Sequence, residues 1–193
     1  MKKTFLIGLI GVLMNSEVLM AEKITIAGGC FWCVEGVYSS MRGVTAAISG
    51  YTNGKTQNPT YKEVCTGATG YAEAVQISYD PKIIKLEKIL EVFWRIHDPT
   101  TLNRQGADTG TQYRSGIYYE NEAQKKAAEA SKEEAQKKFG AKIVTEIEPL
   151  KIFHKAEEYH QNYFAKNPTQ GYCQAVVAPK IEKFRESFKD LAR

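Results

Sequence analysis

The sequence predicts an α+β fold arranged as a single-domain two-layer sandwich, and three observations carry that prediction. The chain has 193 residues, enough for one domain with a substantial core and short for two. Apolar residues make up 43% and charged residues 25%, the balance of an ordinary globular domain rather than a disordered chain or a membrane bundle. Strand-like and helix-like segments follow one another without strict β-α alternation, which disfavours a doubly wound sheet. A mixed or antiparallel sheet with long functional loops is the expected outcome, and no solenoid-type repeat is present.

Met1-Lys2-Lys3 precedes ten apolar or glycine residues, Phe5 to Met14, followed by Asn15-Ser16 and the small Ala21. Charged, apolar and processing regions in that order read as a secretory signal over residues 1–21, leaving 22–193 as the working domain. The apolar run is too short to span a bilayer as a free helix. Leu19 occupies a place where processing prefers a small residue, so an uncleaved N-terminal anchor is the alternative, and only then is a membrane a partner. The expectation is an exported, periplasmic protein, monomeric by default. Removing 1–21 takes away Lys2, Lys3 and Glu17 and leaves 24 basic against 21 acidic side chains. With no clustered basic stripe, nucleic acid is excluded as a partner.

Lys23 to Ala27 alternates and is β-branched, the pattern of a short strand. Gly28-Gly29 frees the backbone, and Phe31 to Met41 suits a helix with Val34, Val37 and Tyr38 on one face. Val44 to Tyr51 is a second strand, followed by turn-rich TNGKTQNPT. Ala72 to Tyr79 alternates as a strand that Asp80-Pro81 ends. Leu86, Ile89, Leu90, Phe93 and Ile96 recur at helical spacing until Asp98-Pro99. Thr100 to Tyr113 is a long polar loop of the kind that carries function. Ser115 to Tyr119 reads as a strand, Glu122 to Phe139 as a solvated helix with Glu122/Lys126 and Glu134/Lys138 pairs, and Lys142 to Glu148 as a further strand. Lys155 to Lys166 reads as a helix with Tyr159 and Tyr163 on one face, and NPTQGYCQAVVAPK as a loop-like tail.

Chemistry concentrates in GGCFWCVEG, residues 28–36. Cys30 falls where a strand meets a helix N-terminus, whose dipole and free N–H groups favour thiolate over thiol. Cys33, one turn on, lies close enough for a disulfide once Cys30 has reacted. A metal site would need ligands converging from Cys65, Cys173, His97, His154 and His160, none in a second CxxC or an HxxxH, so metal is set aside. His154, Glu157 and His160 superficially suggest a metal triplet, but a solvated helix is the plainer reading. Cys65 reads as a buried small hydrophobe. A thioredoxin-like thiol–disulfide oxidoreductase remains the alternative, because CxxC between strand and helix is also its signature. Against it stands the bulky Phe31-Trp32 pair inside the motif.

Several ordered motifs then narrow the field. GCFW at 29–32, GYTNG at 50–54, NPTYKEVCTG at 58–67, GYAEAVQISYDP at 70–81, HDPTTLNRQGADTGTQYRSGIYY at 97–119 and the closing YHQNYFAKNPTQGYC together resemble the A-type peptide methionine sulfoxide reductase family, from about Ile24 through Cys173. The fold expected is then a two-layer sandwich with a ferredoxin-like core. The resemblance implies that Cys30 is the nucleophile and that Phe31 and Trp32 hold the substrate's S-methyl group. It implies that Glu73 is the acid serving the sulfoxide oxygen, that Tyr61 and Tyr113 hydrogen-bond that oxygen, and that Asp108 assists through water. These residue types suit a polar S=O flanked by apolar carbon: donors on one side, an aromatic wall on the other, and a carboxylic acid whose pKa burial has raised. Oxidised proteins or free methionine sulfoxide, as the S epimer, are the implied substrates. No bound cofactor is implied, only an external dithiol, thioredoxin or thioredoxin-like. Cys173 in its Gly-containing tail and Cys33 both stand open as the resolving cysteine. Tyr71 departs from the histidine that the family commonly has before Ala-Glu, and it flanks Glu73. A non-catalytic sulfoxide-binding module is a third reading, which predicts binding that survives loss of Cys30.

Overall fold

The computed structural model describes residues 21–193; the export signal or anchor expected over 1–21 lies, but for Ala21, outside the described residues. Alternating β-branched residues form β1 (Glu22–Gly28), and the Gly28-Gly29 break turns the chain into α1 (Phe31–Ser39). Then come β2 (Val44–Thr52), the short α2 (Tyr61–Cys65), β3 (Ala72–Tyr79) and α3 (Leu86–Ile96). A small hairpin of β4 (Arg104–Gln105) and β5 (Asp108–Thr109) leads through a 3-10 turn at Thr111–Tyr113 into β6 (Ser115–Tyr119). Last come α4 (Glu122–Gln136), β7 (Glu146–Pro149), β8 (Phe153–Lys155), α5 (Tyr163–Lys166) and α6 (Ala178–Ser187).

The main sheet runs β7-β6-β1-β3-β2-β8. Its four central strands are antiparallel neighbours in the order β6-β1-β3-β2, and α1 and α3 are the crossovers. This β-α-β-β-α-β path is the ferredoxin-like core expected from the sequence. β7 adds parallel to β6, and β8 antiparallel to β2. Ile24, Ile26, Val75 and Ile77 share one core with Val34, Val37 and Tyr38 of α1 and with Ile89, Leu90 and Phe93 of α3. Each such side chain gains about 1.5–3 kcal/mol from burial. Ala27, Ala72, Ala74 and Tyr118 form a second, smaller cluster with Leu150; by strand alternation it lies on the opposite face. Among the described residues no helix is long and apolar enough to cross a membrane.

Three expectations are corrected. The segment 155–166 is not one helix: β8 ends at Lys155, a 3-10 turn spans Glu158–His160, and Asn162 at φ 53° sits in the left-handed region before α5. Nor is it solvated throughout, since His160 is fully buried while Tyr159 is exposed. The tail is not a loop: Cys173–Val177 is a π-helical segment that continues into α6. Pro179, which has no N–H to give to the preceding turn, follows directly on that π-helical segment. Cys65 is exposed rather than buried, because α2 lies at the surface and only Val64 of its five residues is buried.

Candidate active site

Cys30 caps α1 with extended backbone angles and is 6% exposed. The turn that places it requires glycine at position 29, where φ is +87° and the Gln105 side chain lies 2.6 Å from where a Cβ would stand. Gln105 is itself clamped to Asp98, accepting from its N–H at 3.1 Å and donating to its carbonyl at 3.1 Å. The polar loop before β6 is thereby tied to the strand-to-helix junction. Gly29→Ala is expected to cost on the order of 1–3 kcal/mol through the strained φ alone, with the clash added. A lowered midpoint of denaturant unfolding checks it.

The first free N–H of α1 serves a carboxyl and not the thiol: Phe31 N–H donates to Glu73 Oε2 at 3.0 Å. Glu73 is 1% exposed, and its pKa lies well above the usual carboxylate range, first through burial and then through the neighbouring Cys30. Burial therefore favours its neutral, proton-carrying form. Burial likewise pushes the Cys30 thiol well above its ordinary range, and its hydrogen bond with the Cys33 thiol adds to this; the Tyr172 hydroxyl and the Trp32 N–H act the other way. Burial thus acts on this thiol against the helix start, whose dipole favours thiolate.

Two tyrosines lie within electrostatic reach of this acid. Tyr61 opens α2, which a Thr60/Glu63 capping box fixes, and Tyr113 closes the 3-10 turn. The two segments are joined by Gln112 Nε2 donating to the Cys65 carbonyl at 3.3 Å and by the Thr111 hydroxyl donating to the Gly67 carbonyl at 3.3 Å. Burial, the largest cause, raises the pKa of both phenols, so both stay neutral donors. The Tyr61 hydroxyl also meets the Cys65 thiol. Asp108 lies in β5 and accepts from the Tyr172 hydroxyl at 2.7 Å. The Tyr172 hydroxyl also meets Cys30, which makes this tyrosine a site residue that sequence reading missed.

An aromatic wall completes the arrangement. Phe31 is buried among Tyr51, Tyr61 and His160, with ring centroids 5.9, 6.3 and 5.0 Å away. Trp32, half-buried, stacks on Tyr163 at 3.7 Å with 7° between the planes. Glu35, buried on α1, accepts from the Asn162 and Tyr163 N–H groups at 2.9 and 3.3 Å and so holds that stack in place; burial raises its pKa against those bonds. Cys173 is fully buried, and burial raises its thiol pKa. All four cysteines are free. The Tyr71 hydroxyl donates to the Thr56 carbonyl at 2.7 Å and its ring meets His154 edge-on. Among the described residues no three His, Cys, Asp or Glu side chains group as a metal site.

A thiol, a carboxylic acid and neutral donors converging on one spot beside an apolar wall are the equipment of a thiol-dependent oxidoreductase that takes oxygen from a small, half-polar group. The chain belongs to the peptide methionine sulfoxide reductase family, whose model matches residues 22–192. It is 51% identical to peptide methionine sulfoxide reductase MsrA of Pasteurella multocida, over 89% of this chain and 99% of the relative. Among solved structures it is similar to reduced Mxr1 from Saccharomyces cerevisiae, with a TM-score of 0.78, 44% identity, and coverage of 88% of this chain and 98% of the other. It also resembles Mxr1 in complex with Trx2, with a TM-score of 0.56, 35% identity, and coverage of 78% and 90%.

Proposed function

We propose that this enzyme reduces the S epimer of methionine sulfoxide, free or in proteins, to methionine, repairing oxidised proteins with electrons from an external dithiol. The observation that carries the reading is the neutral Glu73 acid set beside the Cys30 thiol at the start of α1. Cys30 sulfur attacks the sulfoxide sulfur while Glu73 gives its proton to the oxygen and takes up the thiol proton. The new sulfur–sulfur bond then breaks as the hydroxyl passes from the substrate sulfur to the Cys30 sulfur, so that methionine departs and Cys30 is left as a sulfenic acid. The thiol hydrogen and the sulfoxide oxygen thus both end on the enzyme, and Glu73 is restored. Tyr61 and Tyr113 donate to the oxygen as negative charge develops on it, and Asp108 acts there through water. Trp32, backed by Phe31, faces the methyl group.

The sulfenic acid then condenses with a second thiol, releasing water and leaving a disulfide that a dithiol reduces by exchange. Cys33 lies one turn along α1, its N–H donating to the Cys30 carbonyl at 3.1 Å, whereas Cys173 must leave a buried helical turn, which favours Cys33 as the first partner and Cys173 as the next. Peptide mapping of oxidised protein without reductant is expected to show a Cys30–Cys33 link in Cys173→Ser. Its absence there, with a Cys30–Cys173 link in Cys33→Ser, reverses the order. The reductant fits a thioredoxin-like protein, as the Trx2 complex of the yeast relative suggests. If residues 1–21 direct export, that partner is periplasmic or is fed through a membrane relay.

Methionine formation from each separated epimer with dithiothreitol tests the whole reading: turnover of the S epimer alone is expected. A thioredoxin-like carrier would instead turn over a disulfide substrate without sulfoxide, and the family membership disfavours that alternative.

A further inference from the structure

The Glu157–His160 turn is the part of the sequence that superficially suggested metal ligands, and its side chains reach both walls of the site. His160 is 1% exposed, wedged between the rings of Phe31, Tyr61 and Tyr159 at centroid distances of 5.0, 4.4 and 4.1 Å. Trp32 Nε1–H donates to His160 Nδ1 at 3.2 Å. Because an indole nitrogen only donates, Nδ1 must carry the lone pair and Nε2 the hydrogen. Nε2 has no hydrogen-bond partner among the described residues, and the nearest carboxylate oxygen, Glu157 Oε2, is 4.0 Å away. Glu157 is occupied elsewhere, accepting from the Tyr61 N–H at 2.9 Å and from the Tyr51 hydroxyl at 2.7 Å. The turn is therefore pinned at both ends: its carboxylate to the backbone that carries Tyr61, its imidazole to the indole.

A ring stacked on Tyr163 alone could still slide and rotate in its plane. The bond to His160 removes that freedom, because it fixes one edge of the indole relative to Phe31. We propose that His160 is a positioning residue that sets the place of Trp32, and with it the fit of the substrate's methyl group, by accepting the indole N–H. It touches no reacting atom. Its expected signature is therefore in substrate binding and not in the chemical step. The kinetic consequence rests on the reductase reading given above; the structural one does not.

The test compares His160→Phe, which keeps ring volume and loses the acceptor, with His160→Asn, whose amide oxygen can take the place of Nδ1. In reduced, substrate-free protein the Trp32 indole proton, assigned by its loss in Trp32→Phe, is expected to move upfield in His160→Phe and to return in His160→Asn. With methionine sulfoxide and dithiothreitol, KM is expected to rise about five- to tenfold in His160→Phe, with kcat changed by less than about twofold. His160→Asn should recover most of that loss. Nitrogen-15 shifts of the wild-type histidines are expected to report the Nε2–H tautomer at position 160, a measurement that stands even if His160→Phe does not fold. An Nδ1–H tautomer, an unmoved indole signal in His160→Phe, or equal falls in kcat in both variants would overturn the proposal. Failure of the wild type to reduce any sulfoxide would overturn the reductase reading and leave the indole and tautomer results to decide the positioning.

Discussion

Cys30→Ser is expected to give a folded protein with no measurable reduction of methionine sulfoxide, a loss of at least about 10⁴-fold by comparison with the removal of nucleophiles elsewhere. The reason is chemical before it is structural. Oxygen transfer to a thiol ends in a sulfenic acid, whereas transfer to an alcohol would have to end in a hydroperoxide, and the serine hydroxyl is far less nucleophilic. The fold has no reason to suffer. Position 30 is the N-cap of α1, makes no side-chain capping bond there, and is nearly buried. Serine is among the preferred residues at such a position and is worth up to about 1 kcal/mol where it caps. Loss of turnover with an unchanged or raised melting temperature is the expected pair of results. Residual thiol-dependent turnover in that variant would remove the central claim.

Glu73→Gln is expected to lower turnover by about 10²- to 10⁴-fold, the usual contribution of a general acid, while making the protein more stable. A glutamine oxygen can still accept the Phe31 N–H, so the junction is kept. The pH dependence separates the two effects. Glu73 is raised in the folded state by burial and by Cys30, so its favourable contribution to folding is complete below the unfolded pKa and declines as pH rises towards the folded one. The stability gain in Glu73→Gln should therefore grow with pH above the ordinary carboxylate range, as thermal melts at several pH values will show. In the wild type, turnover falls as pH rises through the same ionisation, which leaves the site without its proton donor. That limb should vanish from the profile of Glu73→Gln. A variant with full activity, or one destabilised most at high pH, contradicts the assignment of a buried neutral acid.

The helices and strands of the central path were legible because each buries a regular face. Leu86, Ile89, Leu90, Phe93 and Ile96 are the expected inward set of α3, and all are buried. Where the sequence misled, a local signal was overruled by a contact distant in the chain. The helical spacing of 155–166 fails because Glu35, more than a hundred residues earlier, holds the backbone at Asn162 and Tyr163. Pro179 and Gly171 mark the tail as irregular, yet burial of Cys173, Val177, Ile181 and Phe184 against the core makes it helical. Glu35 carries no sequence signal of its role, since a glutamate beside Val34 and Val37 reads as the wet side of a helix. Tyr172 was hidden in the same way: nothing in GYC says that a hydroxyl will reach both Asp108 and Cys30. The burial that opposes the helix dipole at Cys30 was hidden too, because position along a helix can be read from a sequence, whereas depth of burial cannot.

Tyr172 and Cys173 are consecutive. The hydroxyl of the first closes over the reacting thiol and ties itself to the β4–β5 hairpin through Asp108, and the thiol of the second is buried behind it. A Cys173 that travels to the oxidised centre must carry Tyr172 off its latch and away from the edge of Trp32. On the order proposed above, delivering that thiol and unlatching the emptied pocket are one stroke of the same lever, which comes after methionine has gone and exposes the disulfide to its reductant.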